Sequence, residues 1–366
     1  MNVHITDYTS LLLLTPSLEQ GVQLAKAKKR ATIKDVAAQA GVSYQTVSRV
    51  INNHPSVKDD TRQRVQAVIE ALGFRPNLAA RSLPRRRSQI IGLIVPYEAD
   101  QLFRDPNLIA QIGGIDAEAN AQGYNLLLST AGHSNQAVDA YQRFIRNQVA
   151  DGALVLETPS MQAGNQLLAQ QGYPYVSIGY DTTLPQAYCV HSNDRDGAYQ
   201  ATSHLIQKGH HRIGVINART AGGAIGAMGE RLAGFCLALE EGTLAFDPEL
   251  AVQGDLTRPS GQLAAQKLLA LKEPPTAIFA FNDRMAMGAI RALHEARLRV
   301  PQDVAVVGFD DIGTAADFSP PLTTVRQSGR QMGQMAAQML FKLIKGETVS
   351  DREVVLPAEL IIRHSS

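Results

Sequence analysis

The sequence predicts an α/β protein in two parts, a small N-terminal helix-turn-helix head and a larger two-lobed body built on parallel sheets. Three observations carry this reading. Residues 32–83 show helical periodicity interrupted by a glycine corner. From Ser88 onward, short apolar runs alternate with amphipathic stretches, as strands and helices do in parallel sheets. The charge is also segregated: residues 26–87 hold 14 Lys/Arg against 4 Asp/Glu and the remainder 21 against 30, so a net charge of +1 conceals a basic head on an acidic body.

Residues 1–29 carry no pattern and are read either as a disordered extension or as an over-long start assignment. Thr32 is then suited to cap a first helix, with Asp35 in its first turn where the helix dipole favours an anion. Val36, Ala37 and Ala40 recur at helical spacing until Gly41, which can take the left-handed conformation that ends a helix. Val42 plugs the corner and Ser43 caps a second helix. At about 100° per residue, Tyr44, Gln45, Ser48 and Arg49 share one arc of that helix, and Val47, Val50 and Ile51 the opposite one. An amide and a guanidinium on one face can read base edges in a major groove; the plain alternative is a solvated face on a helical hairpin. The adjacent positive charge favours phosphate binding with a steep salt dependence.

Pro76 closes the head region (30–76), because proline resists continuing a helix. Residues 77–88 form a hinge whose 78–83 stretch is too short to be a stable helix alone. The body, 89–366, contains the strand-like runs IIGLIVP, YNLLLST, GALVLET, PYVSIGY, RIGVINA, AIFAFND and DVAVVGF, with helical segments such as 109–122 and 260–271 between them. Two sheets dividing near Val190 would give two lobes. With 45% hydrophobic residues the chain can bury a large core. No apolar run approaches the roughly 18 residues of a membrane span, and nothing basic precedes Leu11–Leu14 as in a signal peptide, so a cytoplasmic location is expected. Cys189 and Cys236, far apart, suggest neither a disulfide framework nor a metal site, and no cofactor is expected. Nucleotide-binding glycine signatures, a nucleophile elbow and H-E-x-x-H are all missing, which argues against an enzyme.

The segments TIKDVAAQAGVS, TVSRVIN, VKDDTRQRVQ, GFRPN and ARSL together resemble the head of the LacI/GalR family without gaps, and residues 43–50 are similar to the recognition helix of the lactose repressor. The resemblance implies a DNA-binding transcriptional regulator with a body similar to periplasmic sugar-binding proteins. It places Thr32, Ser43, Tyr44, Gln45, Ser48, Arg49, Asn52, Asn77, Ala80 and Leu83 at the DNA, with Leu83 as a minor-groove wedge. It implies discontinuous lobes, one of about 89–191 plus 327–355 and the other of about 192–326 plus 356–366. The effector would lie between them, near Phe103, Asn193, Asp194, Arg231, Asn282, Asp310 and Gln327. Carboxylates, an amide and a guanidinium suit a sugar's hydroxyls, while a purine or a protein corepressor is the alternative.

Asp283 and Asp311 read as helix caps, and Phe103 equally as a ring-stacking or a core residue. The pocket departs from the lactose repressor, since Gly179 stands where an aspartate is expected, and Leu256 and Gly329 where aromatics are. The expected partners are a palindromic operator with a central CpG step, a second copy of the chain in a symmetric dimer, and a small-molecule effector, with no membrane. Arg49→Ala is expected to cost about 1–3 kcal/mol of operator affinity and to relax preference at one base pair. Titration against single-base operator variants checks this, and an equal loss on all sequences would make Arg49 a phosphate contact instead.

Overall fold

A computed structural model describes residues 31–51, 54–74, 87–95, 102–130, 137–147, 149–157, 161–181, 187–218 and 226–366. The chain forms two compact units, 1–83 and 84–366. In the first, α1 (Ile33–Ala40), α2 (Tyr44–Ile51) and α3 (Asp59–Leu72) enclose Val36, Ala37, Ala40, Val47, Val50 and Val65. The expected caps form. Thr32 Oγ1 accepts from the Asp35 N–H at 3.3 Å while the Thr32 N–H donates to Asp35 Oδ2 at 2.7 Å, a capping box. Gly41 turns the chain at φ +66°. Ser43 Oγ accepts from the Thr46 N–H at 3.2 Å.

The second unit holds two six-stranded sheets. The first contains β1 (Ile90–Val95), β2 (Asn125–Thr130), β3 (Gly152–Leu156), β4 (Tyr175–Ile178), β5 (Cys189–Ser192) and the late strand β11 (Glu353–Leu356), in the order β11-β5-β4-β3-β1-β2 and parallel throughout. The second contains β6 (Ile213–Ala218), β7 (Ala251–Gly254), β8 (Ala277–Ala280), β9 (Ala305–Asp310), β10 (Thr323–Gln327) and β12 (Ala358–Ile361). Its order is β12-β10-β9-β8-β6-β7, and only β12 is antiparallel to its neighbour. The chain thus passes between the sheets three times, after Ser192, after Gln327 and between Leu356 and Ala358.

Helices α4 (Pro106–Ala121), α5 (Ala137–Asn147), α6 (Met161–Gln170) and α11 (Gly329–Lys345) belong to the first lobe. In the second, α7 (Asp194–Gln207) packs with α8 (Ala227–Glu241), and α9 (Arg258–Leu269) with α10 (Asp283–Glu295). Two helices begin earlier than periodicity suggests, because caps and prolines set their starts. Asp105 caps α4 ahead of Pro106, and Thr257 caps α9 ahead of Pro259.

Each helix pair touches through glycines. A Cβ on Gly114 of α4 would collide with the Arg330 carbonyl of α11, and one on Gly333 of α11 with the Gln111 carbonyl of α4. Gly261 and Gly288 play the same part for α9 and α10, and Gly234 brings α8 against Arg195 of α7. Backbones this close leave no room for a side chain, so packing overrides the poor helix propensity of glycine.

Gly114→Ala is expected to destabilise the body by about 1–3 kcal/mol through overpacking against fixed backbone. At Gly113 the nearest atom is the far end of the Arg330 side chain at 3.2 Å, which can move. Gly113→Ala should therefore be neutral or gain up to about 1 kcal/mol from helix propensity. Urea unfolding of the two variants checks this, and equal effects would refute the close-contact account.

Candidate nucleic-acid face and effector cleft

On the head, the face expected to read DNA is open. Tyr44 is 56% exposed, Gln45 and Arg49 are exposed and Ser48 is partly so, while Val47 and Val50 on the opposite arc are buried. Thr32 and Ser43 are exposed and occupied as helix caps. Asn52, Asn77, Ala80 and Leu83 lie outside the described residues.

In the body, the carboxyl ends of the parallel strands carry the candidate effector groups. Arg231, one turn into α8, is only 3% exposed. Its Nε donates to Asp194 Oδ1 at 2.7 Å, and its Nη1 donates to the Phe281 carbonyl and lies 3.6 Å from Asp310 Oδ1. The guanidinium also sits 3.7 Å over the Phe309 ring, a cation–π contact. Gln327 Nε2 donates to Asp310 Oδ1 at 2.6 Å. Asp194, Arg231, Asp310 and Gln327 are thus joined in one network. Burial pushes the Asp310 carboxyl up to about 7 against the pull of Arg231.

The remaining candidates sit differently. Asn282 is buried and caps α10, its Oδ1 accepting from the Met285 N–H at 2.8 Å and its Nδ2 donating to the Leu256 carbonyl at 3.0 Å. Asn193 is exposed and caps α7 through Asp196 N–H. Phe103 is 61% exposed, which removes the core reading and leaves a ring face free.

The reading of Asp283 and Asp311 as caps is corrected. Asp283 is fully buried and accepts from the Ile312 N–H at 2.8 Å and from the Thr324 hydroxyl, so it ties α10 to β10. Asp311, at φ +52°, accepts from Arg326 at 2.7 Å and Arg363 at 2.6 Å. Asn282 already holds the cap position, and asparagine does that work as well as aspartate.

Sequence reasoning missed Glu157, which follows β3. Its Oε2 accepts from the Tyr180 N–H at 2.7 Å in its own lobe, and its Oε1 accepts from the Ala227 N–H of the other lobe at 2.9 Å. The carboxylate lies against Gly179 (φ +111°) and Gly226 (φ +87°), and a Cβ on either glycine would strike it. A carboxylate from the end of the neighbouring strand therefore fills the space beside Gly179. A lone carboxylate directly after a fully apolar strand was the available signal. Burial raises the Glu157 carboxyl to about 7, with its two backbone donors opposing. A second bridge joins the lobes where Arg284 of α10 meets Asp105 at 2.6 Å. Among the described residues, the buried Ser192 Oγ and Asn217 Oδ1, both near the carboxyl ends of strands, have no hydrogen-bond partner.

Comparison with known proteins agrees with this arrangement. Residues 32–77 match the profile of bacterial regulatory proteins of the lacI family, and residues 202–366 match that of the periplasmic binding protein-like domain. The HTH-type transcriptional repressor PurR of Vibrio atlanticus (strain LGP32) is 33% identical over 91% of this chain and 98% of its own length. A transcriptional regulator CelR–cellobiose complex matches with a TM-score of 0.71 and 34% identity, covering 92% of this chain and 100% of the other. The lac repressor dimer bound to operator and the anti-inducer ONPF matches with a TM-score of 0.81 and 28% identity, covering 92% and 99%.

The Glu157 geometry has a pH consequence. A carboxyl raised from 4.5 to about 7 binds its proton more tightly in the folded body than in the unfolded chain. That contribution is complete below pH 4.5 and is lost as pH rises through about 7. It amounts to about 3 kcal/mol at most. Calorimetric unfolding across this window is expected to show stability falling with pH, and Glu157→Gln, neutral throughout, should make the fall shallower. An unchanged slope in the variant would refute the assignment.

Proposed function

Because the chain belongs to the lacI family of bacterial regulatory proteins, we propose that it is a sequence-specific transcriptional repressor whose operator affinity is controlled by a small sugar held between its two lobes. The observation that carries this reading is the network of Asp194, Arg231, Asp310 and Gln327 at the strand ends, with the unpartnered Ser192 and Asn217 oxygens on other strand ends. A guanidinium, carboxylates, an amide and a hydroxyl offer the donors and acceptors that a polyhydroxylated ligand needs. The likeness to the CelR–cellobiose complex supports a saccharide. The likeness to PurR supports a purine corepressor as the second reading.

In this proposal Tyr44, Gln45 and Arg49 enter the major groove and a symmetric dimer reads a palindrome with a central CpG step. The hinge would fold on the operator so that Leu83 wedges the minor groove. The effector acts by binding one lobe arrangement more tightly than the other, since a ligand indifferent to the two would shift nothing. Such a regulator works on the chromosome, in the cytoplasm, and its cleft binds rather than catalyses.

The test is a fluorescence-polarisation titration on a symmetric lactose-type operator at fixed salt, repeated with mono- and disaccharides and with purines. Tight binding released by one saccharide is the expected result. Binding strengthened by a purine would establish the second reading. Binding no tighter than to random DNA would overturn the operator assignment.

A further inference from the structure

A cluster on the first lobe, outside the network just described, carries a separate inference. Cys189 and His191 alternate on β5 and so point to the same face of the sheet. Glu353 of the edge strand β11 is in register with Cys189. One ligand atom from each of the three residues lies within 4.8 Å of the others. The thiol and the imidazole belong to buried residues, and the carboxylate side chain is 62% exposed, which leaves an entry path.

The histidine makes this more than proximity. Its Nδ1 lies 2.9 Å from the Ser192 carbonyl oxygen, and only a ring N–H can satisfy that contact. Its Nε2 then bears the lone pair, yet it faces Glu353 Oε1 at 2.8 Å. Two acceptors at that distance need a proton shared between them, and a metal ion replacing that proton would bind both atoms from beside the line that joins them. An imidazole oriented through Nδ1–H to a backbone carbonyl is the usual state of a metal-ligating histidine. Tyr180 stacks on the ring at 3.9 Å between centroids and holds its plane.

We propose that Cys189, His191 and Glu353 form a binding site for a divalent ion of the zinc type, with a fourth position left to solvent. Thiolate, imidazole and carboxylate are together the donors that Zn2+ takes, at about 2.3 Å for sulfur and about 2.0 Å for nitrogen. Binding releases two protons to water, the thiol proton and the one shared by His191 and Glu353, and leaves the metal oxidation state unchanged. The ion would staple β5 to β11, the two strands that run directly into the lobe crossings after Ser192 and Leu356. Metal occupancy would thereby stiffen two of the three connections between the lobes.

The test uses the full chain stripped with chelator and titrated with Co2+ alone. One equivalent giving a thiolate-to-cobalt charge-transfer band with tetrahedral visible bands, both removed by Zn2+, is expected. Cys189→Ser should abolish the charge-transfer band. Glu353→Gln, at an exposed side chain where folding is not at risk, should weaken Zn2+ by about 10–100-fold or more, the range already seen for outer-shell partners. Absence of the band overturns the proposal. So does Zn2+ uptake that is unchanged in both variants, which would place the metal on other histidines. An imidazolium at His191 with no metal uptake, seen by nitrogen NMR, would make the contact an ordinary ion pair and overturn it equally.

Discussion

The body is organised around one buried guanidinium. At 3% exposure Arg231 cannot be solvated, so its charge has to be met by protein groups fixed in place. Asp194 meets it from the start of α7, Phe281 from the end of β8 and Asp310 from the end of β9, while Gln327 holds Asp310 beside a lobe crossing. One charge therefore positions four separated segments. Such a network adds little net stability over an apolar equivalent, but losing one partner costs about 3–5 kcal/mol. Its effect is to define a geometry. A ligand entering here meets groups already aimed, so less of its binding free energy goes into ordering them.

Glu157 has the complementary part. It is the only described acidic side chain shown accepting from a backbone N–H of the opposite lobe, and its site exists because Gly179 and Gly226 carry no side chain. Both glycines have φ in the left-handed region, where a larger residue would be strained as well as obstructed. The two bridges, Glu157 to Ala227 and Arg284 to Asp105, differ in kind. The first is buried and directional. The second is an ion pair between partly exposed side chains, so salt screens it more than the first. Opening the cleft must break both.

Much of the fold was legible because it rests on local rules. The capping box at Thr32, the stop at Gly41 and the opposed arcs of α2 follow from residue chemistry within one or two turns. The strand runs were readable because parallel strands buried on both faces are continuously apolar, as in IIGLIV and GALVL. The cleft was legible only in part. Arg231, Asp194 and Asp310 are polar groups beside apolar strands and stand out. Asp283 does not, since a carboxylate at the first position of a helix reads as a dipole partner, and its bond to Thr324 joins residues 41 apart in sequence. Glu157 was missed for the same reason: its partners Tyr180 and Ala227 are remote along the chain. The glycines at helix contacts give no one-dimensional signal, because their cause is the approach of a second backbone.

The late return of the chain has a consequence for biosynthesis. One face of the first lobe closes within the chain up to Tyr175, around Tyr141, Phe144, Met161 and Leu168. The other face needs Met332, Ala336, Leu340 and Phe341 from α11 and Leu356 from β11. The second lobe draws its core almost wholly from residues 198–325, with only Ala358 added later. A ribosome releases the chain from its N-terminus at about 5–20 residues per second. The lobe that begins to emerge first is therefore the one that waits, holding an uncovered apolar sheet face until residues 332–356 are made. The second lobe can gather its core in the meantime. That exposed interval, rather than the finished structure, is where a chaperone would have most to protect.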